Sequence, residues 1–69
     1  MNKFRERFKE LRLAKEDSQK KAAQVLGVSW YTISHYETGY TQPSLDMLIR
    51  ICAYLETTSD YLLGIKDYE

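Results

Sequence analysis

Three residues, Gly27-Val28-Ser29, separate the end of one helical pattern from the start of the next, and so short a connection dictates how the two helices can meet. Upstream, Ser18 offers an N-cap, and Ala22, Ala23, Val25 and Leu26 supply the apolar face of a short helix. Gly27 closes it, because the residue after a helix often takes the left-handed conformation that glycine adopts freely. Ser29 caps the next helix, which runs to about Thr38 and is stopped by Gly39. The connection is too short for the two helices to lie antiparallel at full spacing. Small side chains at Ala22 and Ala23 allow close approach, so the pair is expected to cross steeply as a helix-turn-helix.

The rest of the chain is helical by the same criteria. Phe4, Phe8 and Leu11 stand at i, i+4 and i+7 and form one stripe of a first helix over roughly residues 3–15. A loop through Tyr40, Thr41, Gln42 and Pro43 leads to Ser44, the cap of a fourth helix carrying Leu45, Leu48, Ile49, Cys52 and Leu55 at helical spacing. Thr58 caps a short fifth helix, Ser59 to Leu63, ended by Gly64. No segment alternates like a half-buried strand. The expected fold is all-α: one compact five-helix domain over residues 1–69, with its core in about 3–64 and a short tail at 65–69.

Composition narrows the function. With 43% hydrophobic and 29% charged residues the chain is of the soluble globular class, and no apolar run approaches the ~18 residues of a membrane span. The N-terminus lacks the apolar stretch of a signal peptide. A single cysteine, Cys52, cannot form an internal disulfide, which points to the reducing cytoplasm. One cysteine and one histidine exclude the common zinc constellations, so neither a metal nor a cofactor is expected, and no small-molecule site is evident. Net charge is zero but unevenly spread. Residues 1–21 hold eight basic against four acidic side chains, net +4, and residues 22–69 hold two against six, net −4. A basic end of this kind suits phosphates, and equally an ordinary solvated helix face.

Successive residues of a helix turn by about 100°, which sorts the third helix into two faces. Ile33 and Tyr36 fall together on one side; Trp30, Tyr31, Ser34, His35 and Thr38 fall on the other, with Glu37 on the boundary beside Ile33. A short helix that displays a tryptophan, a tyrosine and a histidine together has the character of a contact surface. Lys20 and Lys21 in the first turn of the second helix oppose its macrodipole, so an anionic partner nearby would account for them.

From Phe8 to Gly64 the sequence resembles the phage repressor/Cro-type helix-turn-helix domain, the xenobiotic-response-element-like family of bacterial and phage transcription regulators. The residues that carry the resemblance are Leu11-Arg12, Ser18-Gln19 with Ala23, Leu26-Gly27-Val28-Ser29, Thr32-Ile33-Ser34, Tyr36-Glu37-Thr38-Gly39, Pro43-Ser44-Leu45 and Asp60-Tyr61-Leu62-Leu63-Gly64. It implies a lambda repressor-like fold and a cytoplasmic, nucleoid-associated protein that binds double-stranded DNA at an inverted-repeat operator, as a repressor and a homodimer. The third helix, about 29–38, would then enter the major groove with Ser29, Trp30, Tyr31, Ser34 and His35 facing bases. Ser18, Gln19 and Lys20 would grip the DNA backbone on one side, and Thr38, Tyr40, Thr41 and Gln42 on the other. Arg12 and Glu37 match a structural ion pair of the family.

Two features depart from the family pattern. The exposed face of the third helix offers none of the Arg, Lys, Asn or Gln side chains that make bidentate base contacts. Asp17 occupies a position usually apolar in that family. The alternative reading is therefore a protein-docking module, antitoxin-like or part of a larger regulator, using the aromatic face of the third helix. An enzyme is not expected, because Ser34 and His35 are neighbours in a helix and point about 100° apart. The apolar strip Tyr61, Leu62, Ile65 and Tyr68 is the expected dimer contact.

Overall fold

Phe4 and Phe8, one helical turn apart, pack their rings at a tilt with centroids 5.6 Å apart, and the ring of Tyr36 meets both edge-on at 5.7 and 5.9 Å. This aromatic triplet joins the first helix to the third and forms one half of the core in a computed structural model that describes residues 2–68. The helices are α1 (Phe4–Ala14), α2 (Gln19–Leu26), α3 (Trp30–Thr38), α4 (Leu45–Leu55) and α5 (Ser59–Leu63), with no strand among the described residues. Ala22, Ala23 and Leu26 of α2 close over Ile33, and Ile51, Leu55 and Leu62 complete the core from α4 and α5. Ala22 and Ile33 are both fully buried, which is the close approach that small residues on α2 allow.

The helix ends follow local chemistry. The Ser18, Ser44 and Thr58 hydroxyls accept from the backbone N–H groups of Lys21, Met47 and Tyr61. Gly27 ends α2 at φ 71° and sends the chain into the tight turn before α3. Ser29 stands at the N-cap position of α3 but caps no backbone group; its hydroxyl pairs with that of Thr32 at 2.9 Å instead.

Three expectations about buried faces need correction. Val25 is 45% exposed, because the α2 surface that meets α3 and α4 is completed by Ala22, Ala23 and Leu26 alone. Leu45 and Ile49 also face solvent, since α4 turns Ile51 and Leu55 inward with Leu48 and Cys52 at the margin. Leu62, expected in a dimer contact, is completely buried between α5 and the rest of the core and has no surface to offer a partner.

Candidate nucleic-acid interface

The outward side of α3 carries Trp30 and Tyr31, each more than half exposed, with Ser34 and His35 half-buried beside them. Their rings run in sequence: Trp30 to Tyr31 at 6.2 Å, Tyr31 to His35 at 5.9 Å, and His35 to Tyr40 at 4.6 Å. Tyr40 lies just beyond the helix and is itself exposed. The strip thus runs the length of α3 and into the following loop. Its hydrogen-bonding groups are the Ser34 hydroxyl, the His35 imidazole, the Trp30 indole N–H and two phenols.

Beneath this surface a polar network fixes α3 in place. Arg12 Nε donates to Glu37 Oε2 at 2.5 Å, and a second guanidinium nitrogen donates to Oε1 at 2.9 Å. Both side chains are almost completely withdrawn from water, so this is a bidentate buried pair linking α1 to the end of α3. The carboxylate holds the Arg12 guanidinium above its ordinary pKa, against the opposing effect of burial. Gln19 Nε2 also donates to Glu37 Oε1, at 3.2 Å, which ties the start of α2 to the same carboxylate. Arg12 donates further to the Asp17 carbonyl at 2.7 Å.

Asp17 is explained by Tyr54, whose hydroxyl donates to the Asp17 carboxylate at 2.6 Å. Burial first, and then this acceptor, pushes the Tyr54 phenol well above its usual range. The departure at Asp17 is thus a bond between the α1–α2 corner and α4. Sequence reading missed Tyr54 because the two partners lie 37 residues apart and neither belongs to a local pattern.

Two edges frame the α3 surface. On one, Ser18 and Lys20 are exposed and Gln19 is half-buried; the Ser18 oxygen is occupied by the Lys21 N–H, but its hydroxyl proton remains available. On the other, Thr38, Tyr40, Thr41 and Gln42 are exposed, and the Thr38 hydroxyl donates to the His35 carbonyl at 3.3 Å. That second edge has a cation which the sequence did not suggest. Arg5 of α1 lies over Gly39, and its guanidinium is 3.5 Å from the Thr38 carbonyl oxygen. A side chain at Gly39 would start 3.0 Å from Arg5 Cδ, so glycine serves both the left-handed φ of 82° and the passage of Arg5. Arg5, Thr38, Thr41 and Gln42, together with the aromatic side chains of Phe4 and Tyr36, line a cleft of about 230 Å³.

The expected dimer residues are not gathered on one free surface. Arg7 stacks over the Tyr61 ring at 4.1 Å, and the Tyr61 hydroxyl donates to Glu10 at 2.8 Å. Arg7 also donates to the carbonyls of Tyr61 and Lys66 and to the Asp67 carboxylate, which folds the tail back onto α1. That guanidinium lowers the Asp67 pKa from its usual value. Ile65 and Tyr68 remain exposed on this tail.

Among the described residues no cluster of side chains is arranged to hold a metal, and no helix is long and apolar enough to cross a membrane. Residues 8–62 match the helix-turn-helix family HTH_3. The chain is 41% identical over 59 residues to the HTH-type transcriptional regulator AnsR of Bacillus subtilis (strain 168), an alignment covering 86% of this chain and 51% of that protein. It is 36% identical over 58 residues to ImmR, an HTH-type transcriptional regulator of the same organism, covering 84% of this chain and 46% of ImmR. The chain spans about half the length of the curated relatives it matches. Among solved structures, the P22 c2 repressor protein in complex with synthetic operator 9T superposes with a TM-score of 0.87 at 27% identity, over 96% of this chain and 100% of that one. A transcriptional regulator from Listeria innocua gives 0.86 at 28% identity, over 93% of this chain and 60% of that one. The family and these relatives are transcription regulators, not enzymes. With five helices, no strand among the described residues and the α2–turn–α3 unit in place, the chain belongs to the Cro/C1-type helix-turn-helix family.

Proposed function

We propose that this chain is a sequence-reading DNA-binding unit of a transcription regulator, a repressor that acts as a homodimer in the bacterial cytoplasm. The observation that carries the reading is the exposed strip on α3, held rigidly from behind by the Arg12–Glu37–Gln19 network and flanked by a polar edge on each side. A helix of this size fits the major groove of B-DNA, and its fixed orientation is what a base-reading element needs. In this reading Ser29, Trp30, Tyr31, Ser34 and His35 face bases. Ser18, Gln19 and Lys20 hold one backbone strand, and Thr38, Tyr40, Thr41 and Gln42, joined by Arg5, hold the other.

The chemistry of α3 sets the kind of selectivity. Ser34 and His35 make single hydrogen bonds, and Trp30 and Tyr31 pack against thymine methyls or sugars, so discrimination draws on groove shape as well as base edges. The likeness to a repressor solved on its operator supports the groove-entry geometry. The aromatic run from Trp30 to Tyr40 is the one feature that favours a protein partner instead.

Selection of the purified chain against a randomised duplex pool at roughly 100 mM salt separates the two, because non-specific phosphate binding is already weakened there. The expected result is an enriched inverted repeat with half-sites about one helical turn apart. Absence of enrichment, with only weak salt-sensitive binding, would overturn the DNA reading in favour of protein docking.

A further inference from the structure

The cleft between the start of α1 and the end of α3 is built from two kinds of residue. Its rim carries the exposed side chains of Arg5, Thr41 and Gln42, and among the described residues no aspartate or glutamate lines it. Arg5 has no carboxylate partner among those residues, and its 3.5 Å approach to the Thr38 carbonyl is too long to occupy the guanidinium. No side chain caps α1 at Lys3. The Asn2 carboxamide oxygen accepts from the Phe4 N–H at 2.9 Å instead, which leaves the Asn2 NH2 group to the same rim. The positive end of the α1 macrodipole adds to this field.

The floor is aromatic and holds one unanswered polar group. Phe4 and Tyr36 form it, 2% and 6% exposed, and the Tyr36 hydroxyl has no hydrogen-bond partner among the described residues. The one side-chain atom there that is both sealed from solvent and unpaired is the Thr57 hydroxyl oxygen, so the Tyr36 hydroxyl still opens on the cleft. Burial raises this phenol above its ordinary pKa, which keeps it a proton donor at neutral pH. A donor at the foot of an otherwise apolar floor costs free energy unless something meets it.

We infer that this cleft binds a small organic anion, a carboxylate or phosphate monoester whose charged group meets Arg5 and the Tyr36 hydroxyl while its apolar body lies against the aromatic floor. Size and lining decide against a bare ion. About 230 Å³ is more than one phosphate group fills and less than the ~300–1,000 Å³ pockets of drug-sized ligands, so it suits a compact metabolite. A phosphate on a duplex backbone can reach the rim but brings no apolar body for the floor. The site meets the DNA reading at Arg5. An anion seated in the cleft takes the charge that Arg5 would give to a backbone phosphate, so ligand and duplex each weaken the other by the same factor. That consequence rests on the DNA reading, whereas the binding itself stands or falls without DNA.

A heteronuclear NMR titration of the whole chain, without DNA, tests it with phenyl phosphate and benzoate as probes. Inorganic phosphate and benzyl alcohol supply the charge and the body separately. At least one organic anion is expected to give saturable shifts at Arg5, Tyr36 and Gly39–Gln42, binding at least about tenfold tighter than either separate part. Tyr36→Phe keeps the ring and removes only the hydroxyl, so it should weaken that binding about tenfold with an unchanged thermal midpoint, and Arg5→Gln should do the same. Shifts that never saturate, or that gather elsewhere, would overturn the inference. So would organic-anion binding indifferent to Tyr36→Phe, and inorganic phosphate binding as tightly as phenyl phosphate would reduce the cleft to a seat for a backbone phosphate. A chain that takes the organic anion yet selects no duplex would instead defeat the DNA reading and leave the cleft standing.

Discussion

At the scale of single residues, the side chain on which the site depends most is Glu37, because three hydrogen bonds from two helices converge on it. Arg12 supplies two hydrogen bonds and Gln19 a third. Withdrawing such a pair from water is costly, and the pair holds only while both charges are present. Glu37→Gln leaves the Arg12 charge buried and half-satisfied, so it is expected to cost on the order of 3 kcal/mol in urea unfolding, as is Arg12→Met. The double replacement Arg12→Met with Glu37→Leu removes both charges and should recover most of that loss, because an apolar pair of similar volume carries no desolvation penalty. DNA binding by the double variant should still fall, since Gln19 and the end of α3 lose their common anchor. Single variants with unaltered urea midpoints would show that the pair contributes nothing to stability.

At the scale of elements, what was legible in the sequence follows from which signals are local. Ser18, Ser44 and Thr58 cap their helices with side-chain oxygens, and Gly27, Gly39 and Gly64 end theirs at positive φ, because capping is decided within four residues. The exposed face of α3 was readable for a similar reason: Ile33 and Tyr36 are the large apolar residues on the opposite side, so periodicity has one solution. Helix α4 defeats the same method. Leu45, Met47, Leu48, Ile49, Ile51, Cys52 and Leu55 surround it, and only packing against α2 and α5 decides which of them turn inward. The end of α4 was equally hidden. Glu56 adopts the left-handed conformation at φ 53°, and no sequence rule anticipates a glutamate there. That strain is a prediction in itself. Glu56→Gly should stabilise the chain by about 1 kcal/mol, the relief of the left-handed penalty outweighing the loss of one exposed ion pair with Lys15. Thermal unfolding would show a midpoint raised by several degrees; a lowered midpoint would mean that Lys15–Glu56 or chain entropy dominates the corner.

At the scale of the whole molecule, zero net charge conceals a division that matters for binding. The basic N-terminal portion contributes Lys20 to one edge of the α3 surface and Arg5 to the other, so a lysine or arginine flanks each side of a helix that has neither of its own. If each meets one phosphate, each accounts for about 0.9 of the slope of log affinity against log salt concentration. Arg5→Ala and Lys20→Ala are therefore expected to flatten that slope by about one apiece, weakening all duplexes alike. Ser34→Ala and His35→Ala should shift base preference and leave the slope unchanged. Trp30, the single tryptophan and more than half exposed on α3, supplies an intrinsic fluorescence signal for these titrations without a label. Arg5 has a competing structural role, because its guanidinium approaches the last carbonyl of α3 and favours that helix end electrostatically. The two roles separate cleanly. A residue that only caps α3 would lower the thermal midpoint on replacement by alanine and leave the salt slope intact, whereas a phosphate contact moves the slope itself, and Arg5→Lys should restore most of it because a point charge suffices for counterion release.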